Sequence, residues 1–174
     1  MKESVVKTGI LTIIGFQMIV LCAEYLNAVY PLWTGREISL KTVPVDPRSL
    51  FRGNYARLKY DVSTIAKSDT DKNHYIRQNE IVYVRLKPGT DGIYEYDGFG
   101  FDEPETGLFI RGRIQYSGSD KYHVRYGIEA YFAPKRKALA LEKELSSGGI
   151  AKVMVADNGK AALKNVVGEN RRIR

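Results

Sequence analysis

The chain has 174 residues, room for one membrane segment and a single domain of about 140 residues with a core of its own. Hydrophobic residues make up 44% and charged residues 27%, and no segment has the polar, low-complexity composition of disorder. Cys22 is the only cysteine, which excludes an intrachain disulfide and a cysteine-based zinc site, and His74 and His123 are too isolated to suggest any other metal site.

Net charge is +7, and only Lys2 and Lys7, against Glu3 and Glu24, fall in the first thirty residues. The whole excess therefore belongs to the remainder, where it can steer anionic headgroups or an acidic partner. Most of these cations alternate with apolar residues, as on the solvated faces of strands.

The N-terminus decides the compartment. Lys2 and Lys7 precede Gly9 to Ala23, fifteen uncharged residues reading GILTIIGFQMIVLCA. That is a hydrophobic segment with a positive, cytoplasmic flank. It falls short of the roughly 20 residues that cross about 30 Å of hydrocarbon, and a secretory signal peptide has an apolar stretch of similar length.

Two features favour a retained anchor over cleavage. Continuing the helix to Tyr30 gives 22 residues, about 33 Å at the helical rise, with Tyr25, Tyr30 and Trp33 as an interfacial belt. Leu21 and Leu26 stand where a signal-peptidase site would need small residues, and Leu21 before Cys22 is too large for lipoprotein processing. Gln17 and Glu24 are polar for such a helix; they either pair with a partner helix or, for Glu24, reach the interface. Residues 1–30 are thus a cytoplasmic N-terminus with a transmembrane anchor, and residues 31–174 an extracytoplasmic domain.

Past Pro31 the period changes to two. Glu37 to Val43 alternates as a half-buried strand, and Pro44 to Gly53 interrupts it with two prolines and a glycine. Tyr55 to Val62 resumes the alternation with Leu58, Tyr60 and Val62 on one face. Ser63 to Glu80 is a polar connection with room for a short helix, and Ile81 to Leu86 and Ile93 to Tyr96 are further strands.

Leu108 to Tyr116 and Lys121 to Ile128 form a hairpin around Ser117 to Asp120. After Pro134 comes a helix over Lys135 to Leu145, ended by Gly148-Gly149. Ala151 to Ala156 and Lys160 to Val167 flank Asp157-Asn158-Gly159, whose Asn-Gly pair suits a type I′ turn. The predicted fold is mainly β: an anchor helix, then an antiparallel sandwich or partly open barrel of seven or eight strands with one late helix.

The densest run of unusual residues is PVDPRSLFRGNYARLKY, Pro44 to Tyr60. Its end, Gly53-Asn54-Tyr55-Ala56-Arg57-Leu58-Lys59-Tyr60, resembles the motif of the bacterial membrane-anchored GDYXXLXY family, with Asn54 in place of the family's Asp. The lead-in from Pro44 to Arg52, the stretch Ile110 to Ile114 and the stretch Tyr126 to Pro134 are similar to that family too, so the likeness covers nearly the whole chain. The resemblance implies a single-pass protein of the bacterial inner membrane. Some family members are encoded beside multi-pass membrane proteins, which implies an accessory subunit with two partners, the lipid bilayer and a multi-pass protein.

Within the motif, Gly53 can supply a positive φ and Asn54 tolerates left-handed backbone, so Tyr55, Leu58 and Tyr60 can open a packed strand. Asp46, Arg48, Arg52, Arg111, Arg113 and Glu129, with tyrosines such as Tyr126 beside them, form a candidate charged surface. Such a group is either a fold-holding carboxylate–guanidinium network, the reading favoured here, or a binding site.

A hydrolase or ligand sensor using the Pro44–Tyr60 loop is the alternative. Ser49 lies in that loop, but neither histidine is placed to activate it. No phosphate-binding glycine loop or other cofactor fingerprint occurs: Gly98-Phe99-Gly100 leads into Asp102-Glu103, which repel phosphate. Nucleic acid is not an expected partner of an outward-facing domain. The tail Arg171 to Arg174 reads as a frayed, solvated end.

Overall fold

The computed structural model describes residues 2–43, 55–67, 76–118, 120–132, 145 and 148–168. The chain begins with one helix, α1 (Lys2–Thr34, 33 residues), of which Val6–Thr34 is long and apolar enough to cross a bilayer. Its apolar side chains, including Leu11, Phe16, Ile19 and Leu21, are exposed all round, a pattern suited to lipid. At the helical rise, 33 residues span about 50 Å, well beyond the hydrocarbon thickness, so one end must stand outside it.

Pro31 does not end the helix, contrary to the change of pattern there; α1 runs on to Thr34. A proline costs a helix the one N–H that would reach the carbonyl four residues back, here that of Asn27. Burial offsets the loss: Pro31 is among the most completely buried side chains, and its own carbonyl takes the N–H of Gly35 at 2.9 Å.

Among the described residues ten strands follow: β1 (Arg36–Thr42), β2 (Tyr55–Arg57), β3 (Thr64–Ala66), β4 (Ile81–Pro88), β5 (Ile93–Gly100), β6 (Leu108–Ser117), β7 (Lys121–Arg125), β8 (Ala130–Phe132), β9 (Gly149–Val155) and β10 (Ala161–Gly168). Eight form one sheet in the order β10-β9-β1-β5-β4-β6-β7-β3, and β2 pairs with β8 separately. Every pairing is antiparallel except β1 with β5, which are parallel through Ser39–Ile93 and Leu40–Tyr94. The sheet is unclosed, with β10 and β3 at its edges.

Period-two alternation explains most of the core. Ile38 and Leu40 of β1, Val82, Val84 and Leu86 of β4, Ile110 and Ile114 of β6 and Ala151, Val153 and Val155 of β9 are buried on one face. On the outer face, Glu37 of β1 pairs with Lys152 of β9 (3.1 Å) and Lys164 of β10 (2.6 Å), and both lysines hold its carboxyl below the ordinary value.

Three local readings change. The strand expected over Tyr55 to Val62 keeps its buried face but swaps hydrogen-bond partners: β2 pairs with β8, Val43 N–H reaches Lys59 O (2.8 Å), Tyr60 bridges Thr42, and a 3-10 turn occupies Asp61–Ser63. The polar connection that follows it contains β3. The turn after β9 is not type I′, which needs positive φ at both central residues; only Gly159 (φ 74°) has it, because the loop spans three residues and its left-handed position comes last. Of the helix expected over Lys135 to Leu145, only Leu145 lies among the described residues, buried, with its carbonyl accepting from Gly148 N–H.

Gly35 alone separates helix from sheet. A Cβ there would lie 2.4 Å from the Pro31 carbonyl oxygen and 2.9 Å from the Val155 carbonyl carbon, both backbone atoms that cannot step aside. Gly35→Ala is expected to lower stability by about 1–3 kcal/mol, read as a drop in thermal midpoint in detergent. Gly15→Ala, at a position with nothing within 4 Å, should leave the midpoint in place.

Candidate functional site

Two buried tyrosines organise the region. Tyr60 and Tyr126 are almost wholly enclosed, and a phenol so placed needs a hydrogen-bond partner. Tyr60 OH donates to the carbonyl of Ile128 at 2.6 Å, and Tyr126 OH donates to the carbonyl of Val62 at 2.5 Å. Each ring therefore closes on the segment that carries the other. Burial, and then the negative charge of Glu129, pushes both phenols far above their ordinary value.

Glu129 accepts the backbone N–H groups of Tyr126 (2.6 Å) and Gly127 (3.0 Å), fixing the turn in which Gly127 takes a φ of 86°. Gly112 makes room for the second ring. A Cβ on it would lie 2.3 Å from Val124 Cγ1 and 2.8 Å from Tyr126 Cδ1.

The expected charged surface divides. Arg111 and Arg113, the neighbours of Gly112, point away from the core and line a cleft of about 380 Å³ together with Tyr126. Glu129 lines a smaller cavity of about 190 Å³ beside Arg57, Lys59 and His123, where burial and then Lys59 and Lys121 hold the imidazole below its ordinary value. The carboxylate is thus clasped by backbone, and Arg111 and Arg113 stand in the other cavity.

Leu58 packs in the core, and Tyr55 pairs through its backbone with Phe132. Asp46, Arg48, Ser49, Arg52, Gly53 and Asn54 lie outside the described residues. Gln17 and Glu24 are exposed on α1, seven residues apart and so on one stripe.

Three residues of the cleft carried no signal in the sequence. Asn27 comes from α1, Arg125 from the end of β7 and Lys160 from the turn before β10. The hairpin β9–β10 folds over β6, where Gly159 O accepts Arg111 N–H at 2.7 Å, and this brings Lys160 Nζ onto Asn27 Oδ1. Only the topology makes those positions neighbours; nothing in their spacing does. Among the described residues, no group of three or more His, Cys, Asp or Glu side chains could hold a metal ion.

These features define a mainly β domain joined through one residue to an apolar helix of membrane-spanning length, with a cationic cleft at the joint. The chain belongs to the family described as GDYXXLXY protein, whose profile matches residues 17–166, most of the chain. No curated protein and no solved structure matches it.

Removing either phenol strands a buried carbonyl. Tyr60→Phe and Tyr126→Phe should each cost about 1–3 kcal/mol in denaturant unfolding. Between the unfolded tyrosine pKa of about 10 and the raised folded values, the unfolded chain releases protons that the native one keeps, so stability falls as pH rises through that window. The double Phe variant should lose less stability than the parent chain between pH about 9 and about 11.

Proposed function

We propose that the protein is a single-pass accessory subunit of the bacterial inner membrane, with its N-terminus cytoplasmic, whose extracytoplasmic β domain binds or helps assemble a multi-pass membrane partner. The observation that carries this reading is the joint between helix and sheet. Gly35 is the whole linker: Gly35 N–H bonds Pro31 O, Pro31 is buried, and Lys160 reaches Asn27. A simple tether needs only a flexible chain, which lets a domain drift and turn. A one-residue joint instead fixes the domain's height and rotation above the bilayer, as suits a subunit seated on another protein.

The same joint gives the helix a defined azimuth. Gln17 and Glu24 share a stripe with Ala28 and Pro31, so their direction is set relative to the domain. Polar side chains in lipid gain from an interhelical partner. The catalytic alternative gains no such support, since the Glu129 carboxylate is already engaged by two backbone N–H groups.

Inserting a Gly-Ser linker between Thr34 and Gly35 should leave the domain folded and the protein in the membrane fraction while complexes captured by crosslinking in native membranes are lost. Gln17→Leu with Glu24→Leu should lower partner recovery about threefold to tenfold. Undiminished recovery by both variants would count decisively against an assembly role.

A further inference from the structure

We propose that the cleft between α1 and the β6–β7 face binds a phosphodiester anion, supplied in the membrane by the headgroup of an anionic phospholipid. The proposal rests on the membrane placement above and is independent of any protein partner.

Charge is the first argument. Arg111, Arg113, Arg125 and Lys160 line the cleft, and among the described residues no acidic one does. Glu24, one turn before Ala28 on the same side of α1, is not part of the lining.

The second argument is register. Arg113 and Arg125 are directly opposed across β6 and β7, so two guanidinium groups stand side by side on one face. Like charges at directly opposed positions destabilise a sheet. Three other cations on this sheet are matched: Glu37 joins Lys152 and Lys164, and Asp97 pairs with Lys87 at 3.3 Å. In the cleft, Arg113 donates to the carbonyl of Asn79 (2.9 Å) and Lys160 to Asn27; Arg125 also borders the cavity of Glu129, but among the described residues no carboxylate forms an ion pair with any of the four. A bound anion supplies the missing charge, and guanidinium groups match the paired oxygens of a phosphate.

Position identifies the source. The far wall consists of Asn27, Ala28 and Pro31, and Tyr25, Tyr30 and Trp33 on the same turns of α1 are exposed. Tyrosine and tryptophan settle at the headgroup level, so the cleft opens where phosphates lie. A volume of about 380 Å³ holds a glycerophosphate headgroup while the acyl chains follow the apolar surface of α1.

The test uses the full chain in nanodiscs of phosphatidylcholine with or without phosphatidylglycerol, with retained lipid measured by native mass spectrometry. Arg111→Gln with Arg125→Gln should lower retained phosphatidylglycerol by about twenty-five-fold, roughly fivefold for each cation removed. Lys152→Gln with Lys164→Gln removes the same charge away from the cleft and should change retention less than about twofold. Equal losses in the two double variants would overturn the site in favour of general surface charge. Lys160→Gln, expected to show about a fivefold loss alone, serves if the arginine pair does not fold.

Glycerol 3-phosphate binding in detergent with the same arginine dependence, but no phosphatidylglycerol preference in discs, would overturn the lipid source and leave a site for a soluble phosphate. Protein that enters discs and shows neither preference would overturn the site while leaving the anchor intact. Protein that stays in the aqueous phase without detergent would overturn the membrane placement itself.

Discussion

The reciprocal bonding of Tyr60 and Tyr126 is the constraint on which the rest of the domain depends. The segment from Leu58 to Ser63 belongs to no long strand; it passes between the end of β1 and the turn after β7, bonded on one side to Val43 and on the other to Glu129. Short backbone contacts of this kind give little register by themselves. Two enclosed phenols, each bonded to the other's segment, set that register, because a slip would strand two buried hydroxyls and two carbonyls at once.

That clasp also explains the composition of the family-like stretches. Leu58 and Tyr60 close the first motif, Gly112 is the centre of the second, and Tyr126 opens the third. In space they form one assembly, with the Tyr126 ring against Gly112 and the Tyr60 hydroxyl on Ile128. Conformation and packing account for these positions without any chemistry of their own. The cations flanking Gly112 point the other way, toward the helix, so one short run serves the core with its glycine and the cleft with its arginines.

Legibility in the sequence followed the range of the forces involved. Strands whose alternation persists, such as β1, β4 and β9, could be read from period two alone. The segment from Tyr55 to Ala66 could not, since its backbone partner changes twice, from β8 to the end of β1 and then to β7. Pro31 read as a stop because its covalent cost is local and its compensation, burial against the sheet, is not. Arg111 and Arg113 were marked as candidates by the motif around them, whereas Arg125 and Lys160 join them only through pairing and the folded-over hairpin. The candidates from Asp46 to Asn54 lie outside the described residues.

The direct attachment of α1 to β1 bears on the order in which the domain is built. β1 is an interior strand, and its full-length partner is β9, more than a hundred residues later in the chain. Synthesised from its N-terminus, the chain delivers β1 first, directly behind the apolar helix, where it can meet only two residues of β5 in parallel until residues 149–155 arrive. The strand joined to the helix is therefore completed only late in synthesis, once β9 has arrived. Until then it presents an open edge.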